Sequence, residues 1–160
     1  MSDQTHDSRP WYLDVVIPGL LRAARNTYAV YVRQALAAGG FDDMPKNGPY
    51  VLGSLVRSGA PLAQIIKELA VSKQAAGQLI DTLVLRGYLD REVDPVDRRR
   101  LTLSLTERGR AAQAASASAV ARVDGELVRR LPEDVIVQGR VMLAALCVIG
   151  QDAVGEGEDR

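Results

Sequence analysis

The stretch from Leu69 to Leu105 restricts the possible folds more than any other part of the 160-residue chain. Its pattern predicts a helix that ends at Gly87, then a strand, a charged turn and a second strand. The segments on either side are long runs with helix-like apolar spacing. The sequence therefore predicts a mainly α-helical fold with one small β-hairpin.

The helix in this stretch has a clear start and end. Ser72 is a favourable N-cap because its hydroxyl accepts a hydrogen bond from an amide of the next turn. The run from Lys73 to Arg86 contains no proline, and Gly87 suits the left-handed position that follows a helix. At about 100° per residue, the apolar face carries Ala76, Leu79, Ile80 and Leu83, and the opposite face carries Lys73, Gln74, Gly77, Gln78 and Asp81.

That opposite face suits contact with DNA. Amide side chains pair bidentately with adenine in the major groove, and lysine reaches guanine or phosphate. Gly77 costs the helix roughly 1 kcal/mol relative to alanine, but it lets the backbone come close to a partner. The alternative is a face that is polar only because water covers it, and the helix alone does not exclude this.

The hairpin that follows favours the DNA interpretation. Residues 88–93 and 100–105 are strand candidates, and in the second strand leucines alternate with polar residues. The turn at 94–97 has aspartate first and proline second, and three arginines, Arg98 to Arg100, follow it. A basic hairpin after such a helix is typical of a wing that contacts phosphates or enters the minor groove. A solvated charge cluster would not explain this position. The predicted unit is a winged helix-turn-helix, with Pro61 to Ala70 as its first helix.

Four segments in register resemble the multiple antibiotic resistance regulator (MarR) family. They are Leu69 to Ala76, Leu85 to Leu89, Asp94 to Arg99 and Leu103 to Arg110. The resemblance implies that the helix from Ser72 to Arg86 enters the major groove. It also implies that Arg99 of the wing enters the minor groove and that Asp97 orients it. Where the family often has Ser-Arg in mid-helix, this chain has Gly77-Gln78, which implies a different operator preference.

The pattern and the resemblance together predict one set of DNA-binding residues. They are Ser72, Lys73, Gln74, Gly77, Gln78, Asp97, Arg98 and Arg99. The charge distribution agrees with this set, although the net charge is zero. Residues 47–110 hold ten Lys/Arg against seven Asp/Glu, whereas residues 111–160 hold five against eight. The positive surplus therefore lies on the predicted DNA-binding lobe.

Length and composition predict one soluble globular domain over residues 1–160. Within it, residues 47–106 form the winged helix-turn-helix lobe, 11–46 and 107–150 form dimerisation helices, and 1–10 and 151–160 are loose tails. There is no apolar run of membrane-spanning length and no signal-peptide core at the start. A single cysteine excludes an internal disulfide, and a cytoplasmic location is expected.

The last predicted helix, which should end at Gly150, is apolar on all sides from Val141 to Ile149. Such a helix must be buried, and a second copy of this small chain is the natural cover. The predicted dimer contacts are Val141, Leu143, Leu146 and Ile149. Cys147 lies in the same run and is expected to be a packing residue. The alternative is a redox-sensing regulator that acts through Cys147.

The resemblance also implies a small aromatic or phenolic effector that binds between the dimerisation helices and the DNA-binding lobe. The candidate pocket residues are Trp11, Arg22, Arg25, Tyr28 and Tyr50. Aromatic residues that simply pack a core or a dimer seam are the alternative. The one histidine, His6, and the one cysteine are remote in sequence, and no metal-ligand spacing occurs. We therefore expect neither an enzyme nor a cofactor or metal site.

These observations predict a homodimeric DNA-binding transcriptional regulator, a repressor, that binds an inverted-repeat operator and is released by a small aromatic ligand. A winged-helix module that contacts only other proteins is the alternative. Salt-dependent DNA binding distinguishes the two, because only a basic DNA-binding surface releases counterions.

Overall fold

The computed structural model describes residues 10–58, 71–93 and 101–158. Over these residues the chain is mainly α-helical with one two-stranded antiparallel hairpin, which confirms the predicted fold class. A short 3-10 helix at Trp11–Asp14 comes first. It is followed by α1 (Ile17–Ala38), α2 (Gly48–Ser58), α3 (Lys73–Leu85), β1 (Leu89–Val93), β2 (Leu101–Leu105), α4 (Glu107–Arg130) and α5 (Glu133–Glu158). The predicted helix at Pro61 to Ala70 and the turn of the hairpin lie outside the described residues.

The boundaries of α1 follow from its sequence. Pro18 lies in the first turn, where the amide that proline lacks would have no helical partner. At the other end Gly40 has a φ of 76°, the left-handed conformation that glycine adopts without strain. The amide of Phe41 then donates to the carbonyl of Leu36 at 2.9 Å, which closes the helix with a Schellman motif.

The hydrophobic core gathers residues from α1, α2, α3, β1 and α4. Its buried members are Leu36, Val51, Leu52, Ile80, Leu83, Tyr88, Leu89 and Ala112. β1 pairs with β2 so that Leu89 lies opposite Leu105. α3 packs against β1 and α2 against β2, so the core holds α3 and the hairpin together as one support.

The end of α5 differs from the prediction. The helix does not end at Gly150 but continues to Glu158, through most of the segment expected to be a loose tail. Among the described glycines only Gly40 and Gly87 have the positive φ that ends a helix. A glycine inside a helix costs roughly 1 kcal/mol relative to alanine, which lowers stability without forcing the helix to stop.

The chain divides into two compact units, one ending at Val120 and the other beginning at Ala121. The first unit contains the hydrophobic core, α3 and the hairpin. The second contains the end of α4 and all of α5. Among the described helices, none is long and apolar enough to cross a membrane.

Candidate nucleic-acid interface

The first turn of α3 is fixed by the predicted cap. The hydroxyl of Ser72 accepts a hydrogen bond from the amide of Ala75 at 3.2 Å. This bond satisfies one of the amides that the start of a helix leaves free. The residues that follow are therefore held in a regular helix from Lys73 onward.

The two faces of α3 are separated as the sequence predicts. On the core face Ala76, Ile80 and Leu83 are buried, and Leu79 is half-buried against the same core. On the opposite face Lys73, Gln74, Gln78 and Asp81 are exposed, and Gly77 is half-buried. One helical surface thus presents a cation and two amides to an approaching partner.

Gly77 is not required by packing within the described residues. A Cβ built on it would meet none of their atoms within 4 Å, and its φ is not in the left-handed region. Alanine would fit there and would favour the helix by roughly 1 kcal/mol. The glycine therefore leaves a flat strip between Gln74 and Gln78, and nothing within the described chain explains it.

Asp81, the one acidic residue on this face, is paired. The guanidinium of Arg91 on β1 donates to its carboxylate, and both side chains are largely exposed. The positive charge of Arg91 offsets the negative charge that would repel phosphates, and the pair links α3 to the hairpin. Sequence reasoning did not identify Arg91, because the contact between α3 and β1 depends on the tertiary fold.

The last turn of α3 ends in the same motif as α1. Gly87 has a φ of 70°, and the amide of Tyr88 donates to the carbonyl of Leu83 at 2.9 Å. The predicted helix end at Gly87 is therefore confirmed. Tyr88 is fully buried, and its hydroxyl forms hydrogen bonds to two charged groups.

Asp43, Tyr88 and Arg108 are far apart in the sequence, but their side chains meet in the structure. The hydroxyl of Tyr88 donates to the carboxylate of Asp43 at 2.5 Å, and Arg108 donates to the same carboxylate oxygen at 2.8 Å. The hydrogen bond from Tyr88, helped by the charge of Arg108, holds the pKa of Asp43 below its ordinary value. Burial, together with the bond to Asp43, raises the pKa of Tyr88. We call Asp43, Tyr88 and Arg108 the junction.

The start of α4 is locked to the end of α3. The hydroxyl of Thr106 donates to the carbonyl of Gly87 at 2.6 Å and accepts from the amide of Gly109 at 2.9 Å. A Cβ on Gly109 would collide with the backbone carbonyl of Tyr88, so only glycine fits at this crossing. Thr106 therefore caps α4, and the cap also ties two helices together.

The described part of the wing is the pair β1 and β2. Polar side chains bridge its exposed face, since Ser104 donates to the carboxylate of Glu92 at 2.7 Å. The predicted wing residues Asp97, Arg98 and Arg99 lie outside the described residues. Their DNA contacts stay a prediction.

The candidate pocket residues come from three elements of the first unit. Trp11, in the 3-10 helix, is 71% exposed and packs edge-on against Tyr12, with ring centroids 6.0 Å apart. Arg22, Arg25 and Tyr28 follow at successive turns of α1, with both arginines exposed, and Tyr50 on α2 is 43% exposed.

The candidate dimer residues form an exposed apolar stretch of α5 in the second unit. Val141 is 58% exposed, Leu143 43%, Leu146 38% and Ile149 64%. Cys147 in the same stretch is also exposed in the single chain. The described helix thus presents apolar surface, as expected for a segment that needs a cover.

Comparisons with known proteins agree with this architecture. Residues 43–100 match the model of the MarR family. A probable transcriptional regulator from Pseudomonas aeruginosa is 27% identical, with a TM-score of 0.62 over 84% of this chain and 98% of that chain. No curated protein sequence matches the chain significantly.

Two further solved structures share the fold at lower identity. The complex of S. aureus MepR with DNA is 22% identical, with a TM-score of 0.69 over 84% of this chain and 96% of that chain. BpsR of Bordetella bronchiseptica, whose DNA binding is regulated by 6-hydroxynicotinic acid, is 21% identical, with a TM-score of 0.64 over 87% of this chain and 98% of that chain.

Proposed function

We propose that the chain is a homodimeric transcriptional regulator of the MarR family, whose model matches residues 43–100, and that it binds double-stranded DNA through α3. One observation carries this proposal. The exposed face of α3 holds Lys73, Gln74 and Gln78 around Gly77, a glycine that the packing of the described chain does not need.

The chemistry of this face suits the major groove. Gln74 and Gln78 lie one helical turn apart, so both amides point from the same side of α3. A glutamine amide pairs with the N6 and N7 atoms of adenine, and Lys73 at the first turn reaches phosphate or guanine. The bare backbone at Gly77 lets the helix axis lie closer to the base edges than a side chain would allow. We therefore propose a half-site that contains adenine.

The wing completes the surface in this proposal. Asp97, Arg98 and Arg99 would lie beside α3, with Arg99 in the minor groove and Asp97 orienting it. Such contacts hold the protein on the duplex and carry little direct sequence information. With the operator placed across a promoter, the bound dimer would act as a repressor.

The dimer in this proposal is held by α5. Val141, Leu143, Leu146 and Ile149 are all exposed in the single chain, although apolar residues at this density are seldom left in water. A second copy would cover them and Cys147 together, which gives Cys147 a packing role. Two copies related by a twofold axis would bind an inverted repeat, because protein symmetry is mirrored in the operator.

A small aromatic effector is part of the same proposal. BpsR, which shares the fold, responds to 6-hydroxynicotinic acid. Here Arg22 and Arg25 are exposed on α1, and the half-buried Tyr28 follows one turn later. The guanidinium groups would suit the carboxylate of an aromatic acid. Trp11 and Tyr50 are the further candidates. An effector would favour the spacing of the two α3 helices that does not fit DNA.

Selection from a pool of random duplexes tests the function. The expected outcome is one enriched sequence made of two inverted half-sites with centres about 10 base pairs apart, or a multiple of that. Retention that depends on salt but enriches no sequence would contradict specific recognition. No retention at low salt would favour the protein-interaction module instead.

A further inference from the structure

The end of α3 is held by side chains that the proposed DNA-binding face does not include. α1 and α3 both end in a Schellman motif, and the residue after each left-handed glycine is aromatic. These two residues, Phe41 and Tyr88, pack with an interplanar angle of 61° and ring centroids 6.2 Å apart. The ends of α1 and α3 are therefore fixed to each other.

The start of α4 joins the same point. Arg108 lies over the ring of Tyr88, with its central guanidinium carbon 4.5 Å from the ring centroid. The same guanidinium donates to the carboxylate of Asp43 at 2.8 Å and to the backbone carbonyl of Arg86 at 3.0 Å. One side chain thus contacts the loop after α1, the end of α3 and the ring between them.

Asp43 closes the junction. It accepts from the hydroxyl of Tyr88 and from Arg108, and its backbone carbonyl accepts from the guanidinium of Arg86. Three helices are therefore joined by charged hydrogen bonds, which are stronger than neutral ones. The side chains of Asp43 and Arg108 are 42% and 41% exposed, whereas Tyr88 is buried, so the junction links the surface to the core.

The junction is separate from the proposed base contacts. α3 ends at Leu85, seven residues after Gln78, which is about 10 Å along the helix axis. A change at this end alters the direction in which the other end points, and base recognition tolerates little error in position. The guanidinium of Arg108 already donates to Asp43 and to the hydroxyl of Tyr88. It would have to give up these bonds to contact a DNA phosphate.

We propose that Asp43, Tyr88 and Arg108 are positioning residues, which set the direction of α3 relative to α1 and α4 and so determine affinity for the operator. This inference rests on the proposed function, because operator affinity is one of its two readouts. The other readout, amide hydrogen exchange in the free protein, does not depend on DNA.

The test compares Asp43→Ala with Glu126→Ala. Glu126 is a matched control because it is also 42% exposed, pairs with two arginines outside the junction and follows Arg108 by 18 residues in the sequence of α4. Both variants remove one negative charge, which by itself strengthens attraction to DNA. The measurements are the Kd for the duplex selected by the wild type, the Kd for a scrambled duplex, the salt slope, the melting temperature and amide hydrogen exchange in the free protein.

For Asp43→Ala we expect affinity for the selected duplex to fall by about tenfold, a typical coupling between linked elements, with no loss on the scrambled duplex and an unchanged salt slope. Hydrogen exchange at residues 82–88 should accelerate. Glu126→Ala should bind the selected duplex at least as tightly as the wild type. Tyr88→Phe keeps the ring and removes only the hydroxyl, so it should show the same effects more weakly. It serves as the test if Asp43→Ala does not fold.

Selected-duplex affinity that stays constant or rises in Asp43→Ala would overturn the inference. An equal loss on both duplexes would also overturn it, because it would show only a general loss of stability. If the wild type prefers no duplex but exchange at residues 82–88 still accelerates, the proposed function fails and the positioning of α3 by the junction stands.

Discussion

The presence of Gly77 is not explained by packing in the described part of the chain. It lies in the middle of α3, where alanine would meet no described atom within 4 Å and would suit the helix better. We attribute it to the close approach of the α3 backbone to DNA. A substitution at this position should therefore change the stability of the protein and its affinity for DNA in opposite directions.

We predict that Gly77→Ala raises the free energy of unfolding by roughly 1 kcal/mol and weakens binding to the selected duplex. Gly53→Ala on α2 is the matched control, because a Cβ there also meets no atom of the residues that the structure describes within 4 Å. It should stabilise the protein without changing DNA affinity. Denaturant unfolding and a binding titration measure the two effects, and undiminished affinity in Gly77→Ala would remove the case for close approach.

The shifted pKa values of Tyr88 and Asp43 predict the pH range over which the junction stabilises the fold. The pKa of Asp43 is lowered, so its contribution to stability is present above the ordinary value of 3.8 and is lost as the pH falls through the folded pKa. The pKa of Tyr88 is raised, so its contribution is present below 10.0 and is lost as the pH rises through the folded pKa.

The stability advantage of the wild type over Tyr88→Phe should therefore be largest between these limits and should shrink in acid and in strong alkali. Unfolding measured by circular dichroism across pH gives this difference. A difference that stays constant from acid to alkali would show that the hydroxyl is not coupled to Asp43.

Single residues with local determinants were predictable from the sequence. Ser72, Gly87 and the buried face of α3 were predicted because capping, left-handed glycine and helical periodicity act within a few residues. The junction was not predictable, because Asp43 and Arg108 are 65 positions apart and only the packed core brings them together. The pair of Asp81 with Arg91 was missed for the same reason.

At the scale of elements, α3, the hairpin and α4 form one connected support. Thr106 caps α4 and bonds the end of α3, and Gly109 lets the two backbones cross. The direction of α3 is therefore set at its end by short backbone contacts as well as by the junction. The sequence predicted each element but not this crossing.

Gly109→Ala should lower the free energy of unfolding by more than about 2 kcal/mol, because the added Cβ would collide with the carbonyl of Tyr88. Gly125→Ala on the same helix is the control, since the nearest atom to its Cβ is a flexible arginine nitrogen at 3.9 Å. It should be neutral or mildly stabilising. Chemical denaturation compares them, and equal midpoints would contradict the crossing.

α5 shows where sequence patterns fail at the element scale. Gly150 was expected to end the helix, but the helix continues to Glu158 because glycine stops a helix only where the backbone turns left-handed. Which glycines adopt the left-handed conformation depends on the tertiary contacts around them, and these cannot be read from the sequence alone. The apolar run before Gly150 is exposed in the single chain, so its burial by a second copy stays a prediction.

At the scale of the whole molecule, the proposal requires two copies of the chain. We predict that the wild type is a dimer and that Leu146→Asp shifts it toward monomer, because an unpaired charge buried in the seam costs several kcal/mol, on the order of a 100-fold or greater rise in the dimer Kd. Sedimentation velocity over a range of concentrations measures this change.

Leu85→Asp is the matched control for the dimer. Leu85 is 87% exposed on α3, outside the predicted seam, so the same substitution there should leave the dimer intact. A wild type that sediments as a folded monomer would contradict the dimer. A Leu146→Asp variant that remains as dimeric as Leu85→Asp would place the seam elsewhere.

The most direct test of the central claim is the ratio of Kd values for scrambled and selected duplexes, measured for the wild type, Gln78→Ala and Gln34→Ala. Gln34 is an exposed glutamine on α1 and serves as the control. The wild-type ratio should be at least about 1,000. Gln78→Ala should lose roughly 1–3 kcal/mol on the selected duplex and much less on the scrambled one, with Gln34→Ala unchanged. A wild-type ratio near one, or an equal loss on both duplexes in Gln78→Ala, would contradict the claim that α3 recognises DNA sequence.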